Sequence, residues 1–341
     1  MWGRSPRLPI RLDRRIGLCL LALMLGGPAA ADNRIRILCP TWSGFAPVFV
    51  GLDLGYFQAE GLAVDMKFED ERPNVMAAMD RAEIEMDMRT VGEYQGRPRT
   101  EATPGVIIGT IDQSLGADGV IADGSVATVA DLKGKAVAAE PNVPGRLLLQ
   151  MALHQAGSSL SDLQVKEIVT ADTVPVFADP SIAAIVTFEP FLSQTLKTDT
   201  ARRPHLLLSS RDLPGLIADS IIVRQDDLHR DPDKYRRYLK ALYKAIRHYE
   251  TDPEDFVRRA APHYNLSPED FKASIDGSLV YTSLATTQAA FGRPEAPGPF
   301  YAVFDTVMAL NLENGAADQC LAAAKSIDNS VLAGLAAADL Q

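Results

Sequence analysis

The sequence predicts an α/β protein built as two lobes. From Arg34 onward, short apolar runs typical of buried strands alternate with helix signals, and this alternation is characteristic of sheets covered by helices. It occurs in two successive sets, the second beginning near Gly124, before a helical C-terminal part. A chain of 341 residues is also longer than one hydrophobic core usually supports, which favours more than one lobe.

The first set contains five predicted strands with helices between them. The strands are predicted at Ile35–Cys39, Leu62–Phe68, Met86–Thr90, Val106–Asp112 and Gly119–Ala122. Pro47 suits the first turn of a helix that ends near Glu60, and another helix is predicted over Asn74–Arg81.

The second set repeats the alternation, and the remainder of the chain is helical. Its strands are predicted at Ala136–Ala139, Val165–Thr170, Ile182–Phe188, His205–Ser209 and Ile217–Val223, with a helix over Pro144–Ala156. In the C-terminal part, Asp231, Asp252 and Ser267 each precede a proline. A capping side chain followed by proline is typical of a helix start, so three helices are expected to begin there.

The first 31 residues have the order of a secretory signal peptide. Five arginines lie in a basic leader, Ile16–Gly27 is apolar, and Ala29–Ala31 supplies small residues for cleavage. The alternative is a membrane anchor, but the apolar run is shorter than the roughly 20 residues that span a bilayer. We therefore expect cleavage after Ala31 and export of a mature chain that begins at Asp32.

The charge of the mature chain excludes two classes of partner. Removal of residues 1–31 takes away five Arg and one Asp, so the formal net charge changes from −10 to −14. An acidic surface of this kind repels nucleic acid and anionic lipid. We expect neither as a partner, and no second apolar stretch is long enough to span a membrane.

Two cysteines, Cys39 and Cys320, remain in the mature chain. An oxidising compartment would allow them to form a disulfide, although two cysteines do not make a disulfide framework. Cys39 ends an apolar strand pattern, where a buried free thiol is the alternative. The sequence leaves this pairing open.

Several segments together resemble a known family of binding proteins. They are Trp42–Pro47, Gly51–Phe57 with Glu60–Leu62, Thr90–Glu93, Asp112–Gly119, Asp131–Lys135 and Thr187–Phe191. In their order and spacing, the chain resembles the periplasmic binding proteins of the nitrate/sulfonate/taurine ABC importer class, which also includes binders of the thiamine pyrimidine precursor. The similarity spans roughly residues 34–225.

The resemblance implies a type II periplasmic binding protein fold, with two α/β lobes joined by a hinge. It places residues 32–122 and 214–341 in the first lobe and residues 123–213 in the second. The crossing segments near Ala122–Ser125 and Asp212–Leu216 would form the hinge, and closure around a ligand would be a hinge motion. It further implies a periplasmic monomer without a cofactor, whose partners are a small-molecule ligand and the membrane permease subunits of an importer.

Candidate ligand-binding residues follow from where strands end. In open α/β sheets, ligands bind outside the carboxyl ends of the strands, where loops and helix N-termini converge. This rule selects ten residues: Trp42, Ser43, Thr90, Glu93, Asp112, Ser114, Asn142, Arg146, Glu189 and, in the second crossing segment, Asp219.

Three of these residues have alternative interpretations. Trp42 is the only tryptophan of the mature chain, and it is expected either to stack on a ligand or to belong to the core. Asn142 and Arg146 open a helix whose free N–H groups and dipole suit an anionic group. The alternative is that Asn142 only caps this helix and that Arg146 is solvated.

The four carboxylates among the candidates indicate the chemistry of the ligand. Glu93, Asp112, Glu189 and Asp219 accept hydrogen bonds from amines, amide N–H groups or hydroxyls. A site for bare sulfonate or nitrate would need mostly donors. The set therefore predicts a small polar ligand that is amino-bearing, zwitterionic or heterocyclic, although each carboxylate taken alone has the alternative of a surface salt bridge.

No catalytic motif supports an enzyme. The five histidines have no metal-binding spacing, and the sequence holds no phosphate-cradling Gly-rich loop or nucleophile elbow. We therefore expect no metal, no cofactor and no catalysis. A ligand sensor that signals to a membrane receptor and an exported enzyme are the two alternative functions.

Overall fold

The computed structural model describes residues 33–96, 105–141, 143–198 and 201–341. The predicted leader and Asn142 lie outside these ranges. No helix within them is long and apolar enough to cross a membrane.

Thirteen strands are assigned within the described ranges. They are β1 (Arg34–Cys39), β2 (Ala63–Phe68), β3 (Met86–Thr90), β4 (Gly105–Ser114), β5 (Asp118–Ala122), β6 (Ala136–Ala139), β7 (Gln164–Glu167), β8 (Ile182–Phe188), β9 (His205–Ser209), β10 (Ala218–Arg224), β11 (Leu279–Tyr281), β12 (Gly292–Arg293) and β13 (Ala296–Pro297).

Fifteen α-helices are assigned in the same part of the chain. They are α1 (Ala46–Asp53), α2 (Tyr56–Ala59), α3 (Arg72–Asp80), α4 (Val91–Gln95), α5 (Pro144–Gln155), α6 (Thr173–Val176), α7 (Phe191–Leu196), α8 (Gln225–Arg230), α9 (Pro232–Thr251), α10 (Pro253–His263), α11 (Pro268–Ile275), α12 (Leu284–Phe291), α13 (Phe300–Glu313), α14 (Ala323–Ser326) and α15 (Ser330–Ala333).

Two sheets covered by helices confirm the predicted α/β class. The first sheet has the order β11–β4–β10–β3–β1–β2, the second has the order β7–β6–β8–β5–β9, and β12 and β13 form a separate ribbon. Both large sheets are mixed, whereas alternating strands and helices commonly form mainly parallel sheets. The antiparallel pairs involve β10 and β5, each of which runs antiparallel to both of its neighbours because it enters its sheet from the other one, and β11, which is antiparallel to β4.

The chain crosses between the sheets twice. Residues 115–117 lead from β4 to β5, and residues 210–217 lead from β9 back to β10. The predicted boundary after residue 122 assigned β5 to the first lobe, but β5 pairs with β8 and β9 in the second sheet. An apolar strand pattern does not state which sheet the strand joins, so the sequence could not place this crossing.

Gly116 makes the first crossing possible. Its φ is +121°, a conformation that side chains rarely adopt. A Cβ atom at this position would lie 2.6 Å from Arg211 Nε and 3.0 Å from the Gly277 carbonyl oxygen. The two crossings can therefore pass close to each other and to the helical C-terminal part only because residue 116 is glycine.

The predicted helix starts of the C-terminal part are confirmed. The side chains of Asp231, Asp252 and Ser267 accept hydrogen bonds from backbone N–H groups three residues later, at the starts of α9, α10 and α11. Such caps satisfy donors that the first helical turn leaves free. The three helices thus begin at fixed positions and cover the first sheet.

Each large sheet has its own part of the hydrophobic core, and helix α5 contacts both halves of the molecule. A large cluster surrounds the first sheet, and two smaller clusters cover the faces of the second. Leu147 belongs to α5, which packs on the second sheet, yet its side chain is part of the first cluster. Gln150 on the same helix donates a hydrogen bond to the Leu310 carbonyl of α13 at 3.0 Å. Helix α5 therefore holds the two halves together along one side.

Thiol accessibility tests the state of the two cysteines. Both are free in the structure, with Cys39 buried and Cys320 exposed. In a chain that begins at residue 33, we expect one thiol to react with Ellman's reagent under native conditions and two to react after unfolding in denaturant. A protein that shows no reactive thiol in either state would contain a disulfide and would contradict this arrangement.

Candidate ligand-binding site

The strand ends of the two sheets face a shared cavity. At the edge of the first sheet, Asp219 at the start of β10 is paired with Thr90 at the end of β3 and with Asp112 near the end of β4. At the edge of the second sheet, Asp118 at the start of β5 is paired with Phe188 at the end of β8. The cavity between them has a volume of about 80 Å³ and is lined by Pro40, Thr41, Trp42, Phe45, Arg72, Thr90, Glu93, Asp118, Pro144, Phe188, Ile217 and Asp219.

Trp42 lies at the cavity, directly after β1. Its indole N–H donates to Asp112 Oδ2 at 3.2 Å, and the Tyr264 hydroxyl donates to its carbonyl oxygen at 2.9 Å. Gly44 leaves room for this arrangement, because a Cβ atom there would lie 2.2 Å from the indole nitrogen and 1.9 Å from the Asp112 oxygen. The ring is therefore fixed by a buried carboxyl group and contacts the cavity.

Thr90 and Glu93 are joined by a capping box at the start of α4. The Thr90 hydroxyl accepts from the Glu93 N–H at 3.3 Å, while Glu93 Oε2 accepts from the Thr90 hydroxyl at 3.0 Å. The other oxygen of Glu93 lies 3.1 Å from Arg72 Nε and 3.5 Å from Arg89 Nη1. The negative charge of Glu93 is thus balanced by two guanidinium groups.

Arg72 also bridges the two sheets. Its Nη1 lies 3.0 Å from Oε1 of Glu140, which directly follows β6 of the second sheet. The other oxygen of Glu140 accepts from the Thr170 N–H at 2.9 Å and from its hydroxyl at 2.6 Å. Two ion pairs of Arg72 therefore connect Glu93 with Glu140, and the second of them joins the two sheets.

Three aspartates are buried where the sheets meet. Asp112, Asp118 and Asp219 are 0%, 4% and 7% exposed. Burial raises the pKa of Asp112 to about 7, against the hydrogen bonds from Asp219 and Trp42 that lower it. Burial also raises the pKa of Asp118 to about 7, opposed by a hydrogen bond with Ser114, and raises the pKa of Asp219 well above its ordinary value with help from the charge of Asp112. The carboxyl groups of Asp112 and Asp219 are in hydrogen-bonding contact, which requires a shared proton.

Five of the ten predicted residues come together here. Trp42, Thr90, Glu93 and Asp219 line the cavity, and Asp112 lies directly behind Trp42 and Asp219. The common reason is that each lies at or close to the end of a strand at the same edge of the first sheet. For these five residues, the position expected from the strand ends agrees with the position in the structure.

The other predicted residues within the described ranges do not line the cavity. The Ser43 hydroxyl is 3.0 Å from the Ser274 hydroxyl, and the Ser114 hydroxyl is 2.8 Å from that of Ser210. Arg146 lies 3.6 Å from Glu167 and lines a neighbouring small pocket. Glu189 accepts from the Ser193 hydroxyl at 2.7 Å. Asn142 lies outside the described residues.

Sequence reasoning missed several residues that line the cavity, above all Arg72 and Asp118. Asp118 lies six residues after Asp112 and begins β5 directly after the first crossing, so its place at the facing edge depends on that crossing. Arg72 precedes the proline of α3 and had been left outside the predicted helix. Two sequence features could have indicated these residues: an acidic residue next to a crossing segment for Asp118, and an arginine at a helix N-terminus for Arg72.

A larger cavity of about 810 Å³ lies away from this site. It surrounds the amino end of β4 and is lined by Gly105, Val106 and a C-terminal segment around residues 320–330. No residue of the second sheet lines it. Because strand ends of both sheets converge only on the smaller cavity, we take that cavity as the candidate site.

Comparison with solved structures identifies the class of fold. The aliphatic sulphonate binding protein SsuA of Escherichia coli has a TM-score of 0.68 at 17% identity, covering 86% of this chain and 97% of its own. The alkanesulfonate-binding protein SsuA of Xanthomonas axonopodis pv. citri has a TM-score of 0.69 at 15% identity, covering 89% of this chain and all of its own. The chain thus has the periplasmic binding protein fold, as predicted. The desulfurization enzyme DSZB shares the fold at a TM-score of 0.60, so the fold alone does not separate binding from catalysis.

Comparison of sequences identifies the family. The chain belongs to the NMT1/THI5-like family, whose model matches residues 42–256. A relative in Brucella abortus (strain 2308), named "Putative binding protein BAB2_1146", is 24% identical over 246 residues, which are 71% of this chain and 75% of the relative.

The buried aspartates predict a loss of stability as the pH rises. A folded-state pKa of about 7 for Asp118, against an ordinary 3.8, means that the folded protein binds more protons than the unfolded one between these values. The stabilisation is fully present below the lower value and disappears as the pH passes the higher one. The shift corresponds to roughly 4 kcal/mol. Asp118→Asn should therefore flatten the decline in unfolding free energy between pH 5 and 8.5, measured by urea denaturation.

Asp65→Asn is the matched control, because Asp65 is exposed on β2 and 3.3 Å from Lys67. This variant should retain the decline of the parent protein. An equal pH dependence in the parent and Asp118→Asn would show that Asp118 does not titrate in this range.

Proposed function

We propose that the protein is the extracytoplasmic solute-binding component of an ABC importer, without catalytic activity of its own. It captures a small polar solute in the cavity between its two α/β lobes. The observation that carries this proposal is the convergence of strand ends from both sheets on one polar cavity. A solute there contacts both halves at once, which is what couples binding to closure.

The chemistry of the cavity favours binding over catalysis. Among the described residues that line it, none is a cysteine, histidine or lysine. The nearest thiol, Cys39 at the end of β1, is buried, and its pKa is raised well above its ordinary value by burial and then by the charge of Asp87. A thiol held neutral in this way is a poor nucleophile.

The sheet connections suggest the division into lobes. In this proposal the first lobe consists of residues 33–114 and 218–341, and the second of residues 118–209. The crossings at residues 115–117 and 210–217 act as the hinge, since only these two segments connect the sheets through the chain. A solute shifts the protein toward the closed form to the extent that it binds that form better.

The proposed partners and location follow from the same function. The closed form would present its solute to membrane permease subunits, and the protein would act as a periplasmic monomer after removal of residues 1–31. The acidic mature chain and the relatives whose names describe binding proteins support this assignment. Some proteins with the same fold are named for binding sulfonates, but this similarity does not mean that the present chain binds a sulfonate.

A ligand screen with Trp42 as an internal probe tests the function. A solute at a hundred times its dissociation constant should stabilise the fold by about 2.7 kcal/mol, visible as a rise in the melting temperature. The same solute should change the emission of Trp42 and should be recovered unaltered. Trp42→Ala should weaken binding about tenfold, through loss of roughly 1.4 kcal/mol of ring contact.

Chemical conversion of the solute would contradict the proposed function. A clear thermal hit with unchanged emission, and with equal affinity for Trp42→Ala, would place the solute outside this cavity.

The ion pair between Arg72 and Glu140 should favour the closed form. Both side chains are partly exposed, so the pair contributes at most about 1 kcal/mol, equivalent to a fivefold shift between open and closed forms. Glu140→Gln should therefore raise the radius of gyration of the solute-free protein in small-angle X-ray scattering. Glu60→Gln is the control, because Glu60 pairs with Lys240 at 2.7 Å within the first lobe. Equal radii of gyration for Glu140→Gln and Glu60→Gln would show that the ion pair between Arg72 and Glu140 does not influence closure.

A further inference from the structure

More acidic than basic side chains surround the cavity. Glu93, Asp118 and Asp219 line it, with Asp112 directly behind, whereas Arg72 is the only basic residue among its described lining residues. Arg72 is already engaged by Glu93 and Glu140. Arg89, buried below, lies 3.5 Å from both Asp87 and Glu93. No basic side chain in the described ranges forms an ion pair with Asp112, Asp118 or Asp219.

The pairing of Asp112 with Asp219 has no structural advantage. The two residues lie directly opposite each other on β4 and β10, where like charges destabilise a sheet. Asp112 Oδ1 is fully buried and receives no N–H donor from the described part of the chain. Burial of two adjacent carboxyl groups that depend on each other for a hydrogen bond costs free energy that an apolar pair would avoid. A donor supplied by a ligand in the cavity would reach Asp219, which lines the cavity and is paired with Asp112.

We propose that the cavity takes a small organic cation with at least two N–H donors, such as a primary ammonium or an amidinium, held between Asp118 and Asp219. This inference rests on the proposed function and specifies its ligand. The two aspartates approach the cavity from opposite sheets, so one cationic group between them would connect both lobes. Charge-assisted hydrogen bonds to carboxylates are among the strong ones available to such a group.

The remaining walls of the cavity suit an organic cation. Trp42, Phe45 and Phe188 supply aromatic surface, which attracts cations and packs against apolar parts of a ligand. A sulfonate or nitrate would instead meet the excess of carboxylates. A bare metal ion is disfavoured, because no group of three or more His, Cys, Asp or Glu side chains in the described residues is arranged to hold one.

Binding of the cation would release a proton. The proton shared by Asp112 and Asp219 is needed only while no other positive charge is present, so the bound cation replaces it. Several other titratable or charged groups influence this pair: Cys39 on β1, Arg89 on β3, Glu93 on α4, Asp118 on β5, Tyr264 after α10 and Tyr281 on β11. Affinity for the cation should accordingly rise as the pH increases from about 6 to 8.

A defined mixture of small solutes tests the ligand class. Immobilised protein from residue 33 onward is equilibrated at pH 7.5 with equal concentrations of organic cations, zwitterions, neutral solutes and anions, and the retained compounds are identified by mass spectrometry. We expect enrichment of cations that carry N–H groups. Asp219→Asn should reduce their affinity at least tenfold, whereas Asp65→Asn should not change it. Asp118→Asn serves as a second variant if Asp219→Asn does not fold.

The outcomes separate this inference from the proposed function. Retention of anions or neutral solutes would overturn the cation assignment and leave solute binding intact, as would cations retained equally by Asp219→Asn. If no compound is retained, both the cation assignment and the proposed solute binding are contradicted. For a retained cation, calorimetric titration at pH 6 in buffers of different ionisation enthalpy should show release of up to about two protons per cation bound, one from the Asp112–Asp219 pair and one from Asp118. The absence of proton release would overturn replacement of the shared proton.

Discussion

The direction of β10 determines most of what is found at the cavity. This strand returns from the second sheet and enters the first between β3 and β4, antiparallel to both. Its first residues therefore lie beside the last residues of its neighbours, and Asp219 comes to rest next to Thr90 and Asp112. Because β5 makes the opposite crossing, it begins at Asp118 on the facing edge. Because β10 and β5 begin where neighbouring strands end, the carboxyl groups lie close together.

This concentration has a cost that the rest of the fold must offset. Three aspartates buried without cationic partners weaken the folded state increasingly as they ionise. The offset comes from a large apolar core around the first sheet and from helices with fixed starts. Proteins commonly retain such destabilising groups where a ligand needs them, since a site optimised for stability would have no unsatisfied groups to offer.

Much of the fold could be predicted from sequence because local patterns determine it. Strand patterns such as Ile35–Cys39 are apolar over their whole length, and capped prolines such as Asp231-Pro232 determine helix starts within a few residues. Sheet membership could not be predicted in this way. Strand β5 looks the same whether it pairs with β4 or with β8, and only the long-range pairing, made possible by Gly116, assigns it to the second sheet.

The difference between local patterns and long-range contacts also explains which site residues could be predicted. Trp42, Thr90, Glu93, Asp112 and Asp219 follow from the strand-end rule, which needs only strand boundaries. Ser43 and Glu189 satisfy that rule equally well, yet their side chains bond to nearby serines. Side-chain direction in a loop depends on neighbours distant in sequence, and Ser274 is 231 positions from Ser43. Arg72 and Asp118 were missed for the related reason that their importance comes from the facing sheet.

The attachment of α5 restricts how a solute can reach the cavity. Leu147 is embedded in the first core, and Gln150 is bonded to α13, so the halves cannot separate along that side without exposing apolar surface to water. The polar contact of Arg72 with Glu140 can be exchanged for water at a lower cost. The two halves would separate by rotation about the crossings at residues 115–117 and 210–217. A solute that enters beside this contact meets Arg72 together with its partners Glu93 and Glu140, so the guanidinium presents no uncompensated positive charge to it.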